Sequence, residues 1–135
     1  MRYATIAVMA SLVLASCDGQ PAPPANQAAI EVRSAEQDQL HKLDALNLAI
    51  ALKRAIYDAK LVCRRVTDAG FIGKFQNLDM WMARCDDGKD WAIFAGPDGS
   101  AQVRDCADLP GTGVPECKIK TRPKGSFDGS PAPKS

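Results

Sequence analysis

The 135-residue sequence has little of what catalytic and nucleic-acid-binding sites are usually built from. It contains one histidine, and its aromatic residues are two Trp, two Tyr and four Phe. Charges of the two signs nearly cancel, with 17 Lys and Arg against 16 Asp and Glu, whereas a nucleic-acid-binding domain usually carries a basic excess. Sequence motifs of serine hydrolases, zinc proteases and phosphate-binding loops are also missing. These absences exclude nucleic acid as an expected partner and predict a protein that is not an enzyme and holds no cofactor.

The first 17 residues combine an export signal with a lipidation motif. Arg2 supplies a positive charge, and the apolar run from Thr5 to Ala15 is shorter than the roughly 20 residues that a membrane-spanning helix needs. The run ends in Leu14-Ala15-Ser16-Cys17, which resembles the lipobox of bacterial lipoproteins. The resemblance implies that residues 1–16 are a signal peptide, that cleavage occurs before Cys17, and that Cys17 then carries diacylglycerol and an acylated amino group, commonly with palmitate. We therefore expect an N-terminal lipid anchor in a membrane.

The segments on either side of the predicted domain are polar or rich in proline. Residues 17–33 hold the lipidated cysteine and a Pro/Ala-rich linker, which is typical of an extended spacer, and residues 121–135 predict a disordered polar tail. Asp18, directly after the lipidated cysteine, resembles a signal for retention in the inner membrane. We therefore expect a domain over residues 34–120 that faces the periplasm, with the inner membrane favoured over the outer membrane.

Residues 34–60 predict one long amphipathic helix. Ser34 and Gln37 have the spacing of a capping box, apolar residues recur at steps of three and four between Leu40 and Tyr57, and no Gly or Pro interrupts the pattern. The wide apolar face favours a helix packed on a sheet. An amphipathic membrane helix is the alternative, but such a helix usually has a strongly basic polar face. Four acids argue against that alternative: Glu36, Asp38, Asp44 and Asp58.

After Lys60 the apolar period changes to two, which predicts an antiparallel meander of about four strands. The predicted strands cover residues 61–67, 79–85, 90–95 and 101–106. Asp68-Ala69-Gly70 and Gly73 predict turns after the first strand, and Asp87-Gly88 predicts a hairpin turn after the second. The predicted fold class is therefore α+β, with the long helix covering one face of a small antiparallel sheet.

Four cysteines remain besides Cys17: Cys63, Cys85, Cys106 and Cys117. An even number in a small exported chain predicts two disulfides. We favour Cys63–Cys85 and Cys106–Cys117, because the last two flank a Pro/Gly-rich loop that has no core of its own; Cys63–Cys117 with Cys85–Cys106 stays open as the alternative. The spacings contain none of the close pairs that structural zinc sites use, so no metal is expected.

Few residues are candidates for a functional site. His41 is interpreted as a solvated helix residue without an acid–base partner, and the acids between Asp86 and Asp90 are interpreted as a solvated turn, because they lack the spacing of a calcium loop. Trp81 and Trp91 lie on facing predicted strands and are either core residues or an accessible binding patch. No catalytic residue is predicted, and the two tryptophans are the candidate binding residues.

Residues 34–106 resemble small Gram-negative envelope lipoproteins of uncharacterised role, and this resemblance implies no specific activity. The disulfide-braced sheet is also similar to that of small envelope domains that inhibit hydrolases. We therefore expect a lipid-anchored periplasmic envelope protein that acts as a non-catalytic binding module for an envelope protein or a cell-wall component. The alternative hypothesis is a proteinaceous inhibitor of a periplasmic or incoming hydrolase.

Overall fold

A computed structural model describes residues 33–127 of the chain. The predicted signal peptide, the lipidation site Cys17, nearly all of the linker and residues 128–135 of the predicted tail lie outside the described residues. Within residues 33–127, no helix combines the length and the apolar character needed to cross a membrane.

The described residues form two helices and a four-stranded antiparallel sheet, so the predicted α+β class and the meander are confirmed. The sheet order is β1-β2-β3-β4, so each strand pairs with the next along the chain. A short 3-10 helix follows the last strand, and an isolated bridge joins Phe71 of the first strand to Thr121. The elements are α1 (Ala35–Lys42), α2 (Ala45–Asp58), β1 (Val66–Phe75), β2 (Leu78–Cys85), β3 (Asp90–Ala95), β4 (Ala101–Asp105) and the 3-10 helix (Cys106–Asp108).

The prediction of one long helix over residues 34–60 is wrong, because the chain breaks between α1 and α2. Leu43 ends α1 with an extended backbone, and Asp44 caps α2 by accepting a 2.9 Å hydrogen bond from the N–H of Asn47. The break frees the N–H of Ala45 to donate to the carbonyl of Lys124 at 2.7 Å. A distant segment and a local cap therefore divide an apolar pattern that is continuous in the sequence. The predicted capping box of Ser34 and Gln37 at the start of α1 is present.

The first strand begins later and runs further than predicted. β1 extends through Gly70 and Gly73, which the sequence pattern assigns to turns, and residues 61–65 lie outside the sheet. Gly70 is instead a site of close packing, because a Cβ there would lie 2.4 Å from Cγ2 of Ile119. Gly73 lies at a shift in the register between β1 and β2, where a bulge needs an unusual backbone conformation.

The sheet has a core on each face. Its helix-facing side packs against α2 and includes both tryptophans, together with Leu48, Leu52 and Ile56. The opposite side is covered by the chain that follows β4, with Leu109 buried among residues of β1, β2 and β3. The sheet is therefore shielded on both faces although only one face carries α-helices.

The two disulfides have the pairing that we favoured. Cys63 is bonded to Cys85 with the Cα atoms 5.6 Å apart, and Cys106 to Cys117 with the Cα atoms 5.8 Å apart. The Cys63–Cys85 disulfide holds the segment after α2 against the end of β2. The Cys106–Cys117 disulfide closes the loop that covers the face of the sheet opposite the helices. Each disulfide of this kind contributes about 2–4 kcal/mol by restricting the unfolded chain, which matters for a domain with a small core.

Candidate functional site

Trp81 and Trp91 do not form an accessible binding patch. Their exposed fractions are 3% and 6%, and both side chains belong to the core between the sheet and α2. Trp81 pairs with Ile93 across the β2–β3 ladder and Trp91 with Ala83, so the two indoles lie diagonally on one face. This corrects their interpretation as binding residues: they stabilise the helix–sheet contact.

His41 is also placed differently from its interpretation as a solvated residue. Its Nε2 lies 2.8 Å from Oδ2 of Asp79, and its ring centroid lies 4.6 Å from that of Phe71 and 4.7 Å from that of Trp81. Only 21% of the imidazole is exposed. The reason is that α1 lies against the sheet, and the spacing of four residues puts His41 on the same helix face as the buried Gln37.

His41 and Gln37 together fasten α1 to the sheet. Gln37 Nε2 donates to the carbonyl oxygens of Asn77 at 2.9 Å and Ala95 at 3.1 Å. Asp79 is fully buried, and its Oδ1 lies 3.7 Å from Nζ of Lys74. A histidine–carboxylate pair can serve as a general base only if the imidazole reaches a substrate. Here the ring is covered by two aromatic side chains, so the geometry favours a structural role.

The acidic turn after β2 is already engaged in contacts within the domain. Asp90 accepts two hydrogen bonds from the guanidinium of Arg84, at 2.7 and 2.8 Å, and Asp87 accepts from the backbone N–H of Lys89. Asp86 lies 3.5 Å from Nε of Arg64. Among residues 33–127, no three His, Cys, Asp or Glu side chains are grouped so that they could hold a metal ion.

An open cleft of about 660 Å³ lies between the helices and the β3–β4 turn, and sequence reasoning missed it. We call it the helix–sheet cleft. Leu40, Leu43 and Ile93 contribute apolar surface to it, and its charged residues are Glu36, Asp58 and Arg54. One wall consists of small residues of α2 and the other of small residues around the turn. These are Ala51, Ala55 and Ala59 on the helix side and Gly96, Gly99 and Ala101 on the turn side.

Hydrogen bonds within the β3–β4 turn fix the second wall of the cleft. Asp98 accepts from the backbone N–H of Ser100 at 3.0 Å and from its hydroxyl at 2.6 Å. The hydrogen bond from the Ser100 side chain lowers the pKa of the Asp98 carboxyl. Gly99 has a φ of +79°, a conformation that favours glycine. A turn of small residues can be recognised in the sequence. The local sequence does not show, however, that alanines of α2 lie opposite this turn and complete the cleft.

A second concavity, of about 720 Å³, lies on α2 and the segment that follows it. We call it the α2 groove. Ile50, Tyr57 and Val62 contribute its apolar surface, and its cations are Lys53, Arg54, Lys60 and Arg64. Four large hydrophobic side chains are exposed in residues 33–127, and all of them belong to α2 or to the segment after it. They are Leu46, Ile50, Tyr57 and Val62.

The end of α2 creates the second wall of this groove. Lys60 has a φ of +63°, and the N–H of Leu61 donates to the carbonyl of Ile56 at 3.1 Å. This left-handed residue ends the helix and reverses the chain. The disulfide of Cys63 then holds residues 61–64 beside the helix.

Apart from Arg54, which lines both, the cleft and the groove occupy different flanks of α2. Each residue of an α-helix turns by about 100°, so the cleft residues Ala51, Ala55 and Ala59 share one side. The groove residues Ile50 and Tyr57 point in nearly the opposite direction. One helix therefore separates two candidate surfaces of different chemistry.

Comparison with known proteins adds nothing to this geometry. No protein family model matches the chain, and no curated protein or solved structure is significantly similar to it. The function is therefore inferred from the two surfaces and from the sequence motifs.

Proposed function

We propose that this chain is a lipid-anchored envelope module that binds a protein or cell-wall component without converting it, and that the helix–sheet cleft is its binding site. The cleft carries the proposal. Its volume of about 660 Å³ lies within the roughly 300–1,000 Å³ typical of ligand sites. Apolar side chains such as Leu43 and Ile93 line it together with polar groups such as Gln39 and Ser100, the combination that gives binding sites both affinity and orientation.

The edge of the sheet next to the cleft suits an extended polypeptide. β4 is the last strand in the sheet order and pairs with β3 alone among the strands. Its first residue, Ala101, lines the cleft. A peptide that adds to a sheet edge gains backbone hydrogen bonds, and pockets for its alternate side chains give specificity. The cleft would accept those side chains.

The groups at the cleft support binding rather than turnover. Ser100 is the hydroxyl residue in the lining, and its hydroxyl donates to Asp98 rather than to a histidine. Because the pKa of Asp98 is lowered, this carboxylate is a weak general base. His41 and Asp79 do not line the cleft.

The anchor is supported by the lipobox-like sequence Leu14-Ala15-Ser16-Cys17, and the two disulfides are compatible with an oxidising compartment such as the periplasm. The change Cys17→Ser should abolish lipidation and move the protein from the membrane to the soluble or uncleaved fraction. Fractionation with metabolic labelling by a palmitate analogue measures both effects. A cleaved, detergent-dependent Cys17→Ser protein would contradict the anchor.

Site-specific photo-cross-linking in cells tests the cleft. A photoreactive amino acid at Gln39, which lines the cleft, should give an adduct, whereas the same probe at the exposed Thr67 of β1, at the opposite edge of the sheet, should not. The change Ala59→Phe narrows the cleft at an exposed position and should suppress the adduct at Gln39. Equal adducts at both positions, or an adduct unaffected by Ala59→Phe, would contradict the cleft as the binding site.

The identity of the adduct also separates the two functional hypotheses. A cross-linked hydrolase whose activity falls in proportion to the amount of added protein would favour the inhibitor hypothesis. A cross-linked envelope-assembly protein or wall fragment would favour the binding module. In either case, a partner released from the complex without cross-linking should be chemically intact, because the proposed module does not convert it.

A further inference from the structure

All the large hydrophobic side chains that are exposed in residues 33–127 lie on or just after α2, and they are interspersed with cations. Tyr57 and Val62 are the most exposed, at 73% and 75%. We propose that the surface formed by Leu46, Ile50, Tyr57, Val62, Lys53, Arg54 and Lys60, here called the docking face, lies on the surface of an anionic lipid bilayer. The inference rests on the proposed lipid anchor, which would place the domain next to such a bilayer.

The apolar residues of the docking face are arranged to enter an interface rather than to fill a core. Leu46, Ile50 and Tyr57 recur at spacings of four and seven residues, so they form one stripe along the exposed flank of α2. Clustered exposed apolar residues rimmed by polar groups mark interaction sites. Tyrosine is suited to the boundary between headgroups and acyl chains, because its ring is apolar and its hydroxyl can stay in water.

The charge of the docking face is complementary to an anionic membrane. Lys53, Arg54 and Lys60 have no ion-pair partner among the described residues, and no acid lines the α2 groove. At the edge of the docking face, Val62 and Arg64 line a smaller hollow together with Asp86 and Asp87, and Nε of Arg64 lies 3.5 Å from Asp86. Lysine is depleted in protein–protein interfaces, whereas helices that lie on membranes combine apolar residues with Lys and Arg. The composition therefore favours a bilayer over a protein as the occupant.

The break between the helices changes where the four acids lie that argued against a membrane-facing helix. The sequence pattern placed four acids on one long polar face, but Glu36 and Asp38 belong to α1. Asp44 is engaged in capping α2, where it accepts from Asn47. Asp58 lines the helix–sheet cleft. None of these carboxylates lines the α2 groove, so the charged residues that line the groove are all basic.

A lipid tether lets a surface of modest affinity dock. Docking of a tethered domain is intramolecular, so its effective concentration is set by the linker rather than by bulk dilution. The consequence for the proposed function is geometric: the helix–sheet cleft lies on the opposite flank of α2 and would face away from the bilayer, where a partner can reach it.

Fluorescence quenching in vesicles tests the docking face with the full-length lipidated protein. The variant Tyr57→Trp is reconstituted into vesicles of brominated phosphatidylcholine, with or without phosphatidylglycerol, and the signal of the parent protein with its buried Trp81 and Trp91 is subtracted. Bromine quenches only an indole that enters the lipid. We expect quenching with phosphatidylglycerol, which weakens at high salt, and none in the matched control Gln102→Trp.

The charge triple variant Lys53→Gln, Arg54→Gln and Lys60→Asn gives a quantitative test. Asn is chosen at residue 60 because it tolerates the left-handed backbone there. Each cation near an anionic surface is worth about a fivefold change in the docking equilibrium. Removing all three should therefore lower the ratio of docked to undocked protein on the order of 100-fold, with the lipid anchor unaffected.

The outcomes separate the anchor from the docking face. Protein that floats with vesicles of phosphatidylcholine alone is anchored. If the Tyr57→Trp indole of such a protein stays unquenched in vesicles that contain phosphatidylglycerol, docking is refuted and the anchor stands. Protein that does not float with phosphatidylcholine vesicles contradicts the anchor. Docking would then have to show itself as flotation and quenching with vesicles that contain phosphatidylglycerol, and the absence of either result refutes docking. Equal quenching of the Gln102→Trp indole also overturns the proposal. So does the capture of a protein by a photoreactive amino acid at position 57 when the Tyr57→Trp indole is not quenched.

Discussion

Replacing His41 by alanine should destabilise the domain without removing its binding function. The imidazole Nε2 lies 2.8 Å from Oδ2 of Asp79, whose side chain is fully buried. The substitution leaves that carboxyl with Nζ of Lys74 3.7 Å from its Oδ1. It also removes the ring that packs on Phe71 and Trp81.

The magnitude follows from these contacts. Removing one partner of a buried ion pair costs about 3–5 kcal/mol, which is an upper bound for a histidine–carboxyl hydrogen bond. The cost should be lower here, because Lys74 remains and because the imidazole is 21% exposed, so water can reach the vacated space. Loss of the aromatic contacts adds about 0.5–1.5 kcal/mol. We expect the free energy of unfolding to fall by roughly 2–4 kcal/mol, which is a large part of the 5–15 kcal/mol typical of a domain.

Urea unfolding of the disulfide-bonded protein measures the effect, and Lys42→Ala, an exposed neighbour at the end of α1, is the control. The control should lie within about 0.5 kcal/mol of the parent. The double variant with Asp79→Ala should lose less than the sum of the single variants, because the stranded carboxyl is gone. Equal free energies of unfolding for His41→Ala and Lys42→Ala would refute a stabilising contact between His41 and Asp79. Loss of partner binding by folded His41→Ala protein would overturn the view that the pair is structural.

Three further variants test the packing. Trp91→Ala should cost about 3–5 kcal/mol, measured by thermal unfolding, because the indole is 6% exposed; a cost below 1 kcal/mol would mean that the ring is not in the core. Gly70→Ala puts a Cβ 2.4 Å from Ile119 and should lower stability by about 1–3 kcal/mol while speeding amide exchange in the segment after the second disulfide; unchanged exchange would contradict the close packing. Replacing both Cys106 and Cys117 by serine should cost about 2–4 kcal/mol in urea, and recovery of a Cys85–Cys106 peptide from the parent would reject the pairing.

The later strands could be predicted from the sequence because their signals are local. The predicted strand over residues 90–95 has the same bounds as β3, since a short apolar run lies between two turn sequences. The Asp87-Gly88 hairpin is present, with Gly88 at a φ of +83°. The disulfide between Cys106 and Cys117 could be inferred for a similar reason, because the loop that it closes is short.

The helix break could not be predicted because its causes act against a continuous apolar pattern. Asp44 is a good capping residue, yet without a Gly or Pro nearby nothing distinguishes it from an exposed acid on a longer helix. What favours the break is the carbonyl of Lys124, which accepts from Ala45 across most of the folded chain. Contacts of that sequence separation have no local signature.

The histidine–aspartate pair was missed for a related reason. His41 lies on α1, and Asp79 is the second residue of β2, so their contact depends on how the first helix crosses the sheet. Composition correctly draws attention to the single histidine, but only the tertiary placement shows that a buried carboxyl is its partner. A lone histidine in a helix pattern therefore carries no information about its role until its neighbours are known.

The misassigned segment after α2 shows how a wrong strand prediction can identify a surface. Leu61, Val62 and Cys63 alternate as a strand would, yet residues 61–65 lie outside the sheet. Cys63 is buried at its disulfide, whereas Val62 is 75% exposed and supports no core. An apolar side chain that neither a sheet nor a core uses conflicts with the local pattern, and such conflicts are expected at functional sites. Val62 lies in the same groove as Tyr57, so the residue that misled the strand assignment belongs to the face that we propose meets the membrane.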